Sequence, residues 1–271
     1  MTHAHDPAAT ARASPTRRSE KLVRSPAAEP RFLEAEWRHL VMLNYEIEPS
    51  VLTPHTPAGC EPDTWSGRTF VSVVGFRFLG TRVLGVSVPF HRDFEEVNLR
   101  FYVRRKAEGV WRRGVVFIKE LVPRPAIAWV ARAVYGENYV ALPMRHALER
   151  DDARGVTRLA YRWRRGGRWE GVSAVYSGVP MIPADDSEEA FITEHYWGYS
   201  RQSDRFTVEY RVEHPRWAVW RAGEGDLSCD VATLYGPEFV AALTARPRTA
   251  FIAEGSPIVV RRGRRLVEGM P

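Results

Sequence analysis

Lys119 lies in the apolar run Gly114 to Val122 (GVVFIKELV), where a lysine stripped of water would become nucleophilic at neutral pH. Strand alternation groups it with Val115, Phe117 and Leu121 and turns Glu120 the other way with Val116 and Ile118. The competing reading is a long stem that carries the ammonium out to solvent at the strand's end, just before Pro123. Glu95 and Glu96 are adjacent carboxylates at the start of a strand, so they face opposite ways and form no dyad by themselves. Asn98 shares the face of Glu96. Tyr139 can donate a hydrogen bond or act as an acid/base, or it closes a pocket as a structural aromatic. His146 and His195 sit in basic and aromatic surroundings and read more readily as hydrogen-bonded structure than as bases.

Other chemistries lack their residues. The histidines (His3, His5, His39, His55, His91, His146, His195 and His214) make no HxxxH or HExxH pair, so no metal is expected. No GxSxG elbow, phosphate-cradling glycine loop or dinucleotide fingerprint is present, and no cofactor is expected. Cys60 and Cys229 belong to no CxxC pattern and read as free thiols in a reducing compartment.

The elements that must position these residues are mostly strands. Arg68 to Phe78 is β-branched and aromatic and follows the turn Trp65-Ser66-Gly67. In Glu95 to Arg104, Val97, Leu99, Phe101 and Val103 alternate with Glu96, Asn98, Arg100, Tyr102 and Arg104. Gly114 to Val122 follows, with further strands expected at 155–164, 168–177, 191–200, 205–214 and 257–262. One clear helix is expected from Arg124 to Tyr135, with Pro125 in its first turn and Gly136 at its end. Shorter ones are expected around Asp186 to Ala190 and Pro237 to Ala245. Many strands without βαβ alternation predict a mainly β (α+β) fold, a sandwich or barrel.

The chain has 271 residues, 44% hydrophobic and 27% charged, with a formal net charge of +6. The basic residues are spread along it, and only Lys21, Lys106 and Lys119 are lysines, so no nucleic-acid partner is expected. No apolar run reaches membrane-spanning length, and no membrane partner is expected. Residues 1–30 are polar, rich in Ala, Pro, Ser and Arg, and read as a disordered tail before a single domain at 31–265. Arg17-Arg18 is followed by Ser19-Glu20-Lys21 rather than an apolar stretch, so a cytoplasmic location is expected. These residues set no oligomeric state.

Four stretches, PFHRDFEEVNLRFYVRR, RRGVVFIKELVPRPAIAWVARAVYGENYVALPM, ITEHYWGY and YRVEHPRW, resemble the bacterial YqjF-like proteins of unknown function. That family is similar in turn to the acetoacetate decarboxylase superfamily. The resemblance implies a curved, partly closed antiparallel β-barrel with a few short helices and an internal pocket. In the decarboxylases a Gly-Arg-Glu motif leads through aliphatic, aromatic and glycine positions to two lysines. Here Ala131-Arg132-Ala133-Val134-Tyr135-Gly136-Glu137-Asn138-Tyr139-Val140 matches it, keeping Arg132, Tyr135 and Gly136. Tyr139 and Val140 stand where the lysine pair would be, and Glu96 matches a pocket glutamate more loosely. The resemblance therefore implies a pocket beside Ala131 to Tyr139, lined by Glu96, Asn98, Arg132, Tyr135 and Tyr139, without the Schiff-base lysines. The expected partner is a small anionic or carbonyl-bearing molecule; the alternative is an enzyme using Lys119 or an acid/base set around Glu96 and Tyr139.

Overall fold

Fourteen strands carry the fold of the computed structural model, which describes residues 29–129, 137–203 and 206–267. In chain order they are β1 (Arg31–Ile47), β2 (Glu61–Pro62), β3 (Thr69–Val83), β4 (Phe94–Ala107), β5 (Val110–Val122), β6 (Tyr139–Ala141) and β7 (Met144–Asp151). There follow β8 (Val156–Arg165), β9 (Arg168–Ser177), β10 (Trp197–Ser203), β11 (Phe206–Glu213), β12 (Val219–Ser228), β13 (Thr249–Arg261) and β14 (Arg264–Val267).

Hydrogen bonding links them in the order β14-β11-β10-β5-β4-β3-β1-β13-β12-β9-β8-β7, and a second pairing of β11 with β13 closes a ring. That ring runs β11-β10-β5-β4-β3-β1-β13, shut by Val212 opposite Val260 and Glu213 opposite Val259. Pairing is antiparallel except where β5 runs parallel to β6 and to β10. The mainly β architecture expected above is observed, with these two parallel contacts as the departure from a purely antiparallel sheet.

Closing a sheet on itself needs sharply bent strands. In β1 the pairing with β3 shifts register between Arg38 and Val41, where His39 takes a positive φ of 55°. Opposite the bend, Gly255 of β13 has φ 86°, and a Cβ there would lie 2.0 Å from the Trp37 carbonyl oxygen. Only glycine fits that crossing.

The two faces of the ring strands bury different cores. On β4 the odd residues Val97, Leu99, Phe101 and Val103 pack with Val41, Val73 and Val116 against Leu159, Tyr161 and Trp163 of β8. The even residues Phe94 and Tyr102 join Met42, Phe70, Val74 and Phe76, with Phe191 and Ile192 from a short helix. The alternation read from the sequence is observed here, and Glu96, Asn98 and Arg100 fall on this second face with Tyr102.

β5 departs from simple alternation. Leu99 of β4 pairs with Lys119, but the next residue, Arg100, pairs with Phe117, so Ile118 is the extra residue of a bulge. The bulge reverses facing beyond it. Glu120 therefore shares the face of Val115 and Phe117, while Lys119 shares that of Val116 and Leu121, correcting the grouping expected from period two.

The strand expected at 191–200 is also corrected. Residues Glu188–Thr193 are a helix, and β10 begins only at Trp197. The Ser187 hydroxyl accepts from the Ala190 N–H, and Glu188 and Glu189 occupy the first turn, a helix start that outweighs the aromatic run after it. Residues 125–129 are helical as expected; the rest of the helix expected up to Tyr135 lies outside the described residues.

Candidate functional site

β4 supplies one wall of the site as a ladder of polar side chains two residues apart. Glu96 and Asn98 are 3% and 1% exposed, and the Asn98 amide donates to Glu96 Oε1 at 3.0 Å. Glu120 on β5 pairs with Asn98 across the ladder and is 1% exposed, its Oε2 enclosed without a hydrogen-bond partner. The segment Glu137-Asn138-Tyr139 is tied onto the β5 bulge. Asn138 donates its amide to the Ile118 carbonyl at 3.2 Å, and its own carbonyl accepts from the Glu120 N–H at 3.1 Å. Tyr139 pairs with Glu120 at the start of β6, and its hydroxyl donates to Glu96 Oε2 at 3.2 Å. From β11, the Tyr210 hydroxyl donates to Glu137 Oε1 at 2.6 Å.

Three glutamates and two tyrosines thus share one desolvated space. Burial pushes Glu96 up to about 7, against the lowering pull of its bonds from Asn98 and Tyr139 and of the Arg100 charge. Burial likewise pushes Glu137 up to about 8. Glu120 is driven well above the carboxylate range by burial and by the neighbouring Glu137 and Glu96. The Tyr139 hydroxyl is raised well above its ordinary value by burial and the same carboxyls, so it stays protonated. At neutral pH the group retains protons that ordinary glutamates would have lost. A neutral carboxylic acid in an apolar site can donate a hydrogen bond or a proton to a ligand oxygen.

Two residues beyond Asn98, Arg100 is 8% exposed, and its Nε is enclosed without a partner. The guanidinium lies over the Tyr102 ring, 5.7 Å from its centroid. Among the described residues no carboxylate oxygen lies within ion-pair distance of it, and Glu96 feels its charge from further off. It borders a cavity of about 100 Å³ together with Glu137, Tyr210 and His195. The remaining wall is apolar and largely aromatic, including Trp37, Phe117, Trp197 and Trp217. A buried cation without a close counter-charge costs several kcal/mol.

Gly198 makes room for Tyr210. A Cβ at 198 would lie 2.1 Å from the Tyr210 Cζ. Gly198→Ala therefore forces the ring off Glu137, with an expected loss of about 1–3 kcal/mol in urea unfolding. The loss shrinks in Gly198→Ala/Tyr210→Ala; an unchanged midpoint for the single variant would show that the ring has space elsewhere.

The residues singled out from sequence divide clearly. Glu96, Asn98 and Tyr139 come together. Lys119 lies on the opposite face of β5, half-buried, donating to the Leu234 carbonyl, with its pKa lowered by burial and by Arg165. Arg132 and Tyr135 lie outside the described residues. Glu95 faces away from Glu96 and accepts from His146 Nδ1 at 2.6 Å, a pair whose imidazole stacks near Tyr161. Glu120, Glu137 and Tyr210 were not singled out, and neither was Arg100 beyond its place in the alternation. Among the described residues no group of His, Cys, Asp and Glu is arranged to hold a metal ion, and no helix is long and apolar enough to cross a membrane.

The model of the DUF2071 family, an uncharacterized conserved protein, matches residues 34–257 and so includes every one of these side chains. The chain belongs to the DUF2071 family. Its similarity to the uncharacterized protein YqjF of Bacillus subtilis (strain 168) is 24% identity over 205 residues, covering 74% of this chain and 80% of YqjF. Among solved structures, the enduracididine biosynthesis enzyme MppR complexed with pyruvate superposes with a TM-score of 0.64 at 16% identity, covering 91% of this chain and 95% of that one. Acetoacetate decarboxylase from Legionella pneumophila superposes with a TM-score of 0.61 at 13% identity, covering 90% and 93%. These identities show a shared fold. This DUF2071 chain thus has the acetoacetate decarboxylase-like architecture that its sequence resemblance implied.

Proposed function

We propose that this DUF2071 protein binds a small carboxylate, one that also bears a carbonyl, in the cavity beside Arg100 and without forming a covalent bond to it. The observation that carries this reading is the buried Arg100 guanidinium, its Nε without a hydrogen-bond partner, on the wall of an aromatic-lined cavity. A carboxylate would complete its charge and its fork of donors. The ligand's carbonyl oxygen would meet Glu137, a carboxylic acid at neutral pH. The pyruvate held by the structural neighbour MppR supports a 2-oxo acid as the ligand class. Titration calorimetry at pH 6.5 with pyruvate and phenylpyruvate, set against their uncharged amides, tests it. The acids bind and the amides do not; equal behaviour of acid and amide would remove Arg100 from the account.

A second reading is proton transfer, favoured by the proton that Glu137 retains on the cavity wall. It takes the form of enolisation, Glu137 giving its proton to the carbonyl oxygen while a methyl proton passes to water, so that the methyl protons of pyruvate exchange into D₂O faster than in buffer and more slowly in Glu137→Gln. Exchange at the buffer rate leaves the protein a binder only.

A further inference from the structure

His195 borders the same cavity from the turn between the helix Glu188–Thr193 and β10, and the chemistry above makes no use of it. It is 7% exposed, its ring held between Tyr102, at 4.7 Å between centroids, and Phe191, at 5.2 Å. Its Nε2 lies 3.3 Å from Asp63 Oδ2, which also accepts from Arg113 Nε at 2.6 Å. Asp63 is ionised, held down to about 2 by His195 and Arg113 against the effect of burial. An ionised carboxylate only accepts, so Nε2 must carry the proton and Nδ1 must present a lone pair. Burial holds the imidazole neutral, lowering it to about 4, so Nδ1 remains an acceptor across the physiological range. Yet Nδ1 is enclosed without a hydrogen-bond partner. Two polar groups on one small cavity are therefore incomplete in complementary senses. Arg100 Nε lacks an acceptor, and His195 Nδ1 lacks a donor.

We propose that the ligand of this cavity is a flat carboxylate that also carries a hydroxyl group, its carboxylate on Arg100 and its O–H donated to His195 Nδ1. This rests on the reading of the cavity as a carboxylate site and narrows the ligand class. The aromatic walls at Trp37, Phe117, Trp197 and Trp217 suit a planar body between the two polar ends. The Asp63–His195 pair acts as a selector, because a site built to receive a hydroxyl hydrogen bond rejects the analogue that lacks it. His195 is then a specificity residue, and Asp63 is a positioning residue that fixes its tautomer.

Two ligand pairs test this with the whole chain: phenylpyruvate against 4-hydroxyphenylpyruvate, and 3-phenylpropionate against 3-(4-hydroxyphenyl)propionate. In at least one pair the hydroxylated acid binds the wild type about tenfold or more tightly than its parent. His195→Phe abolishes that preference, lowering the hydroxylated acid's affinity about tenfold more than the parent's, since only the hydroxylated acid uses Nδ1. In wild-type protein labelled with ¹⁵N at the imidazoles, the His195 Nδ1 resonance shifts with the hydroxylated acid and stays in place with the parent, a readout that needs no variant to fold. Equal affinities within both pairs, or a preference that survives in His195→Phe, overturn this inference and leave the carboxylate reading intact. Failure of all four acids to bind overturns the carboxylate reading and this inference with it.

Discussion

Arg100→Met is expected to make the protein more stable and to abolish its binding of carboxylates. The guanidinium is buried, its Nε is unpartnered, and its contact with Tyr102 is a ring face 5.7 Å away. Desolvating a charge costs several kcal/mol, whereas a cation–π contact returns only about 0.5–2 kcal/mol. A methionine fills the space against Val115 and Phe117 without that cost. Urea unfolding at pH 6, where Glu96 is mostly protonated and needs no counter-charge, should show a gain of about 1–3 kcal/mol. Affinity for phenylpyruvate should fall by about 2–5 kcal/mol, the usual loss when one partner of a buried hydrogen-bonded charge pair is removed. A destabilised Arg100→Met would instead make the arginine part of the scaffold.

The second large effect is on stability against pH. For Glu96 and Glu137 the folded state holds its proton up to about 7 and about 8, while the unfolded chain releases it near the ordinary glutamate value. Between those values the folded state binds more protons, so stability falls as pH rises. The contribution is fully present below the unfolded value and lost through pH 7 to 8. His195, lowered to about 4, acts in the opposite sense: its contribution is present above the ordinary histidine value and lost as pH falls toward 4. Asp63, held at about 2, keeps its contribution until strongly acidic pH. The window from pH 6.5 to 8 therefore isolates the glutamates. Each pKa unit is worth about 1.4 kcal/mol, so unfolding free energy should fall by a few kcal/mol across it. Glu137→Gln should flatten the decline, and Glu96→Gln/Glu137→Gln should flatten it further, the remainder belonging to Glu120. A wild-type profile flat from 6.5 to 8 would mean that the carboxyls are hydrated.

Much of this site was legible along β4, because a strand with one face in an apolar core leaves a period-two record. Val97, Leu99, Phe101 and Val103 against Glu96, Asn98, Arg100 and Tyr102 placed Glu96 and Asn98 correctly. Arg100 stood in the same row, but its type gave no sign that it would be unpaired, since pairing depends on strands far away in the chain. Glu120 was hidden for a local reason. Nothing in VVFIKELV marks Ile118 as the extra residue, and one bulge exchanged the faces of Lys119 and Glu120. Tyr139 was found through the family motif, whereas Glu137 and Tyr210 meet only because β5 and β6 run beside β10 and β11. The run from Phe191 to Tyr199 misled for a different reason. Its aromatic residues suit a strand, but the Ser187 cap upstream commits its first residues to a helix.

A carboxylate seated on Arg100 with its carbonyl intact is tested most directly by ¹³C NMR of the protein with pyruvate labelled at the carbonyl carbon. The expected result is a bound ketone resonance, shifted from the free one, that disappears in Arg100→Met, with no change in protein mass after borohydride. An imine resonance, a borohydride-stable adduct, or the same bound signal in Arg100→Met would contradict it.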